Sequence, residues 1–185
     1  HTRHFIVIYF LSDPCSVDSY SLENFTRFYG GLEWAFFEKP FLENKCIRPT
    51  CSQIKNVILG IGGADPYNLT DQLINLLLGK SLNVMVLAGD TVHNFEKYHN
   101  NDRYIKVSAQ EIVQLFNKAD LGIFSASTIC NEALAVGLPI AAGYYVDNQI
   151  EFYNYLKKEN LIYPLGNFLS GSLSFCLDDI TKIFN

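Results

Sequence analysis

One stretch, residues 56–70, constrains the fold more than any other part of the chain. Residues 57–61 form an apolar run without polar alternation, which is typical of a strand buried on both faces of a parallel sheet. The glycines that follow allow a sharp turn, and we expect Asp65 to cap a helix whose first residue is Pro66. The stretch therefore predicts a strand, a turn and a helix start, where free N–H groups and the helix dipole could hold an anion. The alternative is a tight turn that binds nothing.

Strand and helix patterns alternate from residue 56 onward. Further strands are predicted at residues 82–87, 104–107, 121–124, 139–144 and 161–164. Helices are predicted around residues 93–99, after a Ser108/Glu111 capping box, from residue 128 to 136, from Asp147 to 158, and at residues 172–184. This alternation predicts an α/β fold, a Rossmann-like doubly wound parallel sheet with right-handed crossovers.

The first 52 residues follow a different pattern. Residues 4–11 are apolar and predict a strand without an evident partner, and the next forty residues are aromatic-rich and irregular. So long an irregular stretch is unusual inside a compact domain. We therefore interpret residues 1–52 as the remnant of a preceding lobe and a crossing segment, and expect the chain to be a C-terminal part.

Composition excludes several classes of protein. Lys and Arg number 14 against 19 Asp and Glu, giving a net charge of −5, and no basic cluster stands out, so we expect no nucleic-acid partner. No run approaches the roughly 18 apolar residues of a membrane span, and the N-terminus lacks a signal-peptide pattern. A cytoplasmic location is expected. The five cysteines lack metal-ligand spacing, which predicts reduced thiols, no metal site and no cofactor.

Candidate binding residues follow three predicted strands. In open α/β sheets, ligands bind beyond the carboxyl ends of strands, near the switch in strand order. The segments expected there are residues 62–65, residues 125–128 with Asn131 and Glu132, and residues 147–149. Ser127 and Thr128 place hydroxyl and N–H groups at a second helix start, and two such starts suit a diphosphate. Glu132 completes no capping box, so it either accepts hydrogen bonds from ribose hydroxyls or only complements the helix dipole.

These residues resemble a known family. Residues 62–65, 119–134 and 137–139, with Asn148 and Gln149, are similar to the C-terminal lobe of the UDP-sugar hydrolase of pseudaminic acid biosynthesis and its spore-coat polysaccharide relatives. Residues 31–41 resemble the interlobe segment of that hydrolase, and the resemblance covers about residues 5 to 160. A more distant similarity is to the GT-B transferase that adds N-acetylglucosamine to the peptidoglycan lipid precursor. The resemblance implies one GT-B lobe, with residues 53–185 as the nucleotide-sugar-binding unit and a missing N-terminal lobe as its partner.

The resemblance also implies roles for individual residues, with UDP or a UDP-sugar as the ligand and no metal ion. The substrate-binding residues would be Gly62, Gly63, Asp65, Val107, Ser108, Ser127, Thr128, Asn131, Glu132, Asn148 and Gln149. The first three would lie against the diphosphate and sugar, and the backbone of Val107 and Ser108 against the uracil edge. Ser127 and Thr128 would bind phosphate, Glu132 the ribose, and Asn148 and Gln149 the sugar hydroxyls.

The resemblance does not extend to the catalytic residue of the family. Family members carry a catalytic histidine in a glycine-rich loop of the N-terminal lobe, and none of His1, His4, His93 and His99 matches that motif. Catalytic residues therefore stay unknown, and we expect the chain by itself to bind without turnover.

Three alternatives stay open. They are the donor-binding lobe of a GT-B glycosyltransferase, a noncatalytic binding domain, and an NAD-binding domain. The last is suggested by Gly60 and Gly62 after the strand and by Asp90 after the next one. A carboxylate at Asp65, the third glycine position of that motif, would repel a pyrophosphate.

Overall fold

A computed structural model describes residues 8–11, 27–45, 53–62, 65–88, 102–105 and 107–170 of the chain. The strands are β1 (Ile8–Leu11), β2 (Arg27–Gly30), β3 (Asn56–Gly60), β4 (Asn83–Ala88), β5 (Asp102–Ile105), β6 (Leu121–Ser125), β7 (Ile140–Tyr144) and β8 (Tyr163–Asn167). The helices are α1 (Lys39–Glu43), α2 (Leu69–Leu78), α3 (Ala109–Lys118), α4 (Thr128–Ala135) and α5 (Ile150–Lys158).

The main sheet is parallel throughout and has the order β5-β4-β3-β6-β7-β8. Counted from β3 and without the short edge strand β5, its five strands follow the order 2-1-3-4-5. The predicted Rossmann-like α/β fold with a parallel sheet is thereby confirmed. Strand order reverses between β3 and β6, which are paired at the centre, with Gly60 opposite Phe124. Ligands of open α/β sheets bind at such a reversal.

Apolar cores lie on both faces of this sheet. One core joins Val57 and Leu59 of β3 to Leu73 of α2. The other joins Ile58, between those two residues, to side chains of α3, α4 and α5, among them Phe116. Successive side chains of a strand point to opposite faces, so α2 covers one face and α3 to α5 the other. Right-handed crossovers require this arrangement once the strand order reverses.

The described part of residues 1–52 also has regular structure, and we call its residues 31–45 the crossing segment. β1 pairs in parallel with β2 in a separate two-stranded sheet, so the expectation that the first strand lacks a partner was wrong. Phe41 of α1 is only 1% exposed and belongs to the core that contains α3; its ring centroid lies 6.4 Å from that of Phe116. This part of the chain therefore packs against the main sheet's helices, and the proposed boundary at residue 52 stays a prediction.

Several element boundaries differ from the sequence expectations. The start of α2 is Leu69 rather than Pro66, because residues 65–68 form a turn in which Asn68 N–H donates to the carbonyl of Asp65 at 3.2 Å. Proline suits the second position of such a turn as well as the first turn of a helix. The helix expected from Asp147 begins with a short 3-10 turn, and α5 starts at Ile150.

Two predicted strands lie at somewhat different residues in the structure, and two predicted helices fall outside the described residues. The strand predicted at 104–107 is β5, two residues earlier, and the one predicted at 161–164 is β8, which extends to Asn167. The helices expected near residues 93–99 and 172–184 lie outside the described residues. Among the described helices, none combines the length and hydropathy needed to traverse a bilayer.

Candidate functional site

The carboxyl ends of the central strands meet at Gly62. Ser125 ends β6, and its Oγ donates a hydrogen bond to the carbonyl of Ile61 at 2.9 Å. Gly62 has φ 112°, and a Cβ atom there would lie 3.3 Å from the hydroxyl oxygen of Tyr145 and 3.9 Å from Ser125 Oγ. Only glycine adopts this backbone conformation readily. The structure therefore brings Gly62, Ser125 and Tyr145 together at the switch point.

The start of α2 is occupied by the chain's own carboxylate. Asp65 is 7% exposed and has φ 29°. Its Oδ1 and Oδ2 accept hydrogen bonds from the N–H groups of Leu69 and Thr70, each at 2.8 Å. Two N–H groups that the sequence suggested were free for an anion are thus already bonded. Gly63, the third residue predicted for this turn, lies outside the described residues.

The start of α3 is closed in a similar way. Ser108 and Glu111 form the predicted capping box: Ser108 N–H and Oγ each donate to Glu111 Oε2 at 2.7 Å, and Glu111 N–H donates to Ser108 Oγ at 3.4 Å. The backbone bond from Ser108, followed by its hydroxyl bond, lowers the pKa of the Glu111 carboxyl. Because the N–H of Ser108 serves this cap, a uracil base at this position would have to use other backbone groups, such as those of the half-buried Val107.

The start of α4 has a different arrangement. Ser127 is the N-cap, with φ −155° and ψ −176°, and its side chain makes no capping hydrogen bond; instead Ser127 Oγ donates to the carbonyl of Ser125 at 3.3 Å. Thr128, the first helical residue, is exposed. The first N–H groups of a helix have no partner within it. At this helix start, directly beside the switch point, those N–H groups can donate hydrogen bonds to an anion, and the positive end of the helix dipole attracts it.

Glu132, one turn further along α4, is half-buried. Burial, and as the second cause the charge of Glu38, raise the pKa of its carboxyl from the ordinary 4.5 to about 7. Glu38 belongs to the crossing segment, so that segment contributes to the electrostatic environment of Glu132. Near neutral pH this carboxyl exists in both protonation states.

Asn131 has a different setting from its neighbour in sequence. It is 5% exposed, and its Oδ1 has no hydrogen-bond partner within the described structure. The residue lines an open cavity of about 520 Å³ between the crossing segment and α4, together with Leu32, Phe37 and Leu134. Gly62, Ser127 and Thr128 are not part of the described lining, and Asn131 lies one turn of α4 after Thr128, so its role in substrate binding stays a prediction.

The end of β7 supplies the remaining groups. Gln149 Oε1 accepts a hydrogen bond from Tyr145 N–H at 3.1 Å, whereas Asn148 is exposed. Burial, and then the charge of Asp65, raise the pKa of the Tyr145 phenol, and a hydrogen bond with Gln149 opposes the shift. The ring of Tyr145 meets that of Tyr67 edge-on, with centroids 6.2 Å apart and an angle of 77°. Sequence reasoning missed Tyr145, although its place directly after a predicted strand was a usable signal.

Thiol and metal chemistry have little support in the described part of the chain. No group of three or more His, Cys, Asp and Glu residues is arranged there to hold a metal ion. Cys130 is a free, buried cysteine, and burial raises the pKa of its thiol to about 12. The remaining cysteines and all four histidines lie outside the described residues.

Comparison with known proteins gives little guidance to function. No protein-family model matches the chain. The chain is similar to the uncharacterized protein MJ1062 of Methanocaldococcus jannaschii, with 30% identity over 150 residues. The matched region covers 74% of this chain and 31% of that protein. The chain therefore spans about a third of the length of this relative, whose name assigns no activity.

Proposed function

We propose that the chain is the UDP-sugar-binding GT-B lobe of a nucleotide-sugar hydrolase of surface-polysaccharide or nonulosonic acid biosynthesis. One observation carries this proposal. The starts of α2 and α3 are closed by the carboxylates of Asp65 and Glu111, whereas the start of α4, at the switch point, has no side-chain cap. A diphosphate placed there would accept hydrogen bonds from N–H groups and be stabilised by the helix dipole.

The side chains around α4 suit the rest of a uridine nucleotide. The hydroxyl of Thr128 stands at the helix start, where it can donate to a phosphate oxygen, and the Ser127 hydroxyl can do the same by leaving the Ser125 carbonyl, to which it donates at 3.3 Å. Glu132 follows Thr128 by four residues, about 6 Å along the helix axis. A carboxylate at that distance can accept hydrogen bonds from the two ribose hydroxyls while the phosphates stay at the helix start.

The same geometry disfavours an NAD-binding domain. Such domains place the pyrophosphate at the helix start that follows the first strand of the sheet, here α2. Asp65 occupies that position with two hydrogen bonds of 2.8 Å. A dinucleotide would therefore have to displace a buried carboxylate of its own charge.

Calorimetry with UDP and NAD tests the proposal. We expect UDP to bind with a dissociation constant on the order of 10 μM to 1 mM, and NAD to bind at least about tenfold more weakly, a difference of about 1.4 kcal/mol. Ser127→Asp would place a carboxylate at the open helix start. This variant should gain about 0.3–1 kcal/mol in stability and lose UDP affinity by about tenfold or more.

Ser81→Asp is the matched control, because Ser81 is exposed and lies just before β4. It is therefore at the amino ends of the strands, opposite the carboxyl ends where α4 begins. This variant should bind UDP as the unmodified chain does. Glu132→Ala should weaken UDP binding by removing the ribose acceptor. Equal UDP affinity in Ser127→Asp, Glu132→Ala and the unmodified chain would exclude α4 as the nucleotide site.

Metal removal is an independent test. Helix N–H groups replace a cation in this mechanism, so EDTA should leave UDP affinity unchanged. Loss of UDP binding in EDTA, with recovery on adding Mn²⁺, would contradict it.

The longer protein containing such a lobe distinguishes the two related enzyme classes: a hydrolase releases free sugar from its UDP-sugar, whereas a GT-B transferase delivers the sugar to an acceptor.

A further inference from the structure

The hydroxyl of Tyr145 lies close to the helix start at which we place the diphosphate. This hydroxyl oxygen and Ser125 Oγ are 3.3 Å and 3.9 Å from the position that a Cβ atom of Gly62 would occupy. Gly62 is exposed, so the two hydroxyls border the space that a side chain would fill there. Ser125 precedes Ser127, the N-cap of α4, by two residues, which is at most about 7 Å of chain. A group attached to the diphosphate can therefore reach Tyr145.

The Tyr145 hydroxyl is available as a hydrogen-bond donor. Burial, and then the charge of Asp65, raise the pKa of the phenol, whereas a hydrogen bond with Gln149 lowers it. A tyrosine with a raised pKa keeps its proton near neutral pH. The ring of Tyr67, which is 48% exposed, meets the Tyr145 ring edge-on with centroids 6.2 Å apart. Aromatic walls with a few placed polar groups are the usual composition of small-molecule sites.

Asp65 makes this end of the site unfavourable for a further anion. Hydrogen bonds of 2.8 Å from the N–H groups of Leu69 and Thr70 hold its carboxylate in place, and its charge acts on the Tyr145 hydroxyl. Like charges repel more strongly in a partly buried site than in water, because the effective dielectric constant is lower. A neutral group whose oxygens can accept a hydrogen bond suits these surroundings better than a charged one.

We propose that Tyr145 and Asp65 are specificity-determining residues that select an uncharged sugar over a uronic acid. The Tyr145 hydroxyl donates a hydrogen bond to a sugar oxygen. The carboxylate of Asp65 repels the carboxylate that a uronic acid carries. This inference rests on the proposed nucleotide function, since a diphosphate at the start of α4 brings the attached sugar to Tyr145.

UDP-glucose and UDP-glucuronate test the selection by charge, because they differ only at C6 of the sugar, where one has a hydroxymethyl group and the other a carboxylate. In calorimetry on the unmodified chain, UDP-glucuronate should bind about 5–10-fold more weakly than UDP-glucose. Asp65→Asn removes the charge and keeps one side-chain oxygen as an acceptor for α2, so the two affinities should become nearly equal. Glu159→Gln is the matched control, since Glu159 is exposed and directly follows α5; it should retain the full difference.

Tyr145→Phe tests the hydroxyl alone, because the ring stays in place. This variant should bind UDP-glucose about 3–10-fold more weakly, with a smaller loss for UDP, which has no sugar. Tyr163→Phe is its control. Tyr163 packs partly buried against the same core as Tyr145, but it is the first residue of β8 and so lies at the amino ends of the strands. The control should retain both affinities, and urea unfolding shows that each variant is folded.

Two results would overturn the inference. One is equal affinity of the unmodified chain for UDP-glucose and UDP-glucuronate, and the other is unchanged UDP-glucose affinity in Tyr145→Phe. Both can be measured even if Asp65→Asn fails to fold. Either result together with UDP binding would leave the nucleotide function standing and remove only this inference. Absence of saturable UDP binding would remove both.

Discussion

The half-buried carboxyl of Glu132 should make the stability of this fold depend on pH. Burial and the charge of Glu38 raise its pKa from 4.5 to about 7, so the folded chain holds this proton more tightly than the unfolded chain does. The free energy of unfolding is therefore greatest below pH 4.5, falls as the pH rises towards about 7, and levels off above that value. At 1.36 kcal/mol per pH unit, the full interval corresponds to about 3.4 kcal/mol. Solvent screening of this partly exposed group reduces the expected loss to about 1–2 kcal/mol.

Urea unfolding at about pH 5 and about pH 8 measures this loss. Glu132→Gln removes the titration, so the variant should not show this loss. The difference in free energy of unfolding between the variant and the unmodified chain should therefore shift by about 1–2 kcal/mol in favour of the variant between pH 5 and pH 8. Glu38→Gln should give a smaller change of the same sign, because burial is the larger cause of the raised pKa. Glu151→Gln, at an exposed position of α5, is the control. Parallel stability curves for Glu132→Gln and the unmodified chain across this pH range would refute the reasoning.

Three further predictions concern single residues. Asp65→Ala should lower the free energy of unfolding by about 1–3 kcal/mol, because two buried N–H groups lose their acceptor, and urea unfolding should show Asp65→Asn losing less. Gly62→Ala should cost about 1–3 kcal/mol at φ 112°, with crowding of the Tyr145 hydroxyl; Gly79→Ala, at φ −60° with no atom closer than 3.6 Å, should be neutral or stabilising by the same measurement. Cys130 should resist iodoacetamide until the chain unfolds, because its thiol is buried and protonated; peptide mass spectrometry with and without urea checks this.

Short-range patterns predicted the parts of the structure that depend on neighbours in sequence. The Ser108/Glu111 capping box involves two residues three positions apart, and both reciprocal bonds form as expected. The unbroken apolar run that became β3 indicated burial on both faces, and residues 57–60 are all buried. Parallel pairing followed from the alternation of strands and helices, since such units close only through crossover helices.

The misplaced start of α2 shows where local patterns become ambiguous. Asp65 followed by Pro66 fits an N-cap with a first helical residue, and it fits equally the first two positions of a turn. Asn68, with φ 52°, decides in favour of the turn. Its left-handed conformation lets the carboxylate of Asp65 reach N–H groups four and five residues ahead.

Residues that act through distant contacts gave weaker signals. Tyr145 is one of many aromatic residues in the chain, and its place beside Gly62 depends on how β3 and β7 are arranged in the sheet. Phe41 lies in a stretch without periodicity, yet it inserts beside Phe116. Asn131 Oδ1 is buried without a hydrogen-bond partner in the described structure, which its position in the sequence does not indicate. Tertiary packing determines each of these features.

The raised pKa of Glu132 also bears on how α4 would take a nucleotide. An ionised carboxylate one turn from the helix start would oppose a diphosphate, and protonation lowers that repulsion near neutral pH. Two ribose hydroxyls that donate directly to Glu132 favour its ionised form, and they are nearer to it than phosphates at the helix start, about 6 Å away along the axis, so UDP binding should lower the pKa and release part of a proton per chain near pH 7. Calorimetry of UDP binding in two buffers with different ionisation enthalpies measures this release, and Glu132→Gln should abolish it. UDP binding without proton release would mean that the ribose contacts another group, even if the phosphates lie at the start of α4.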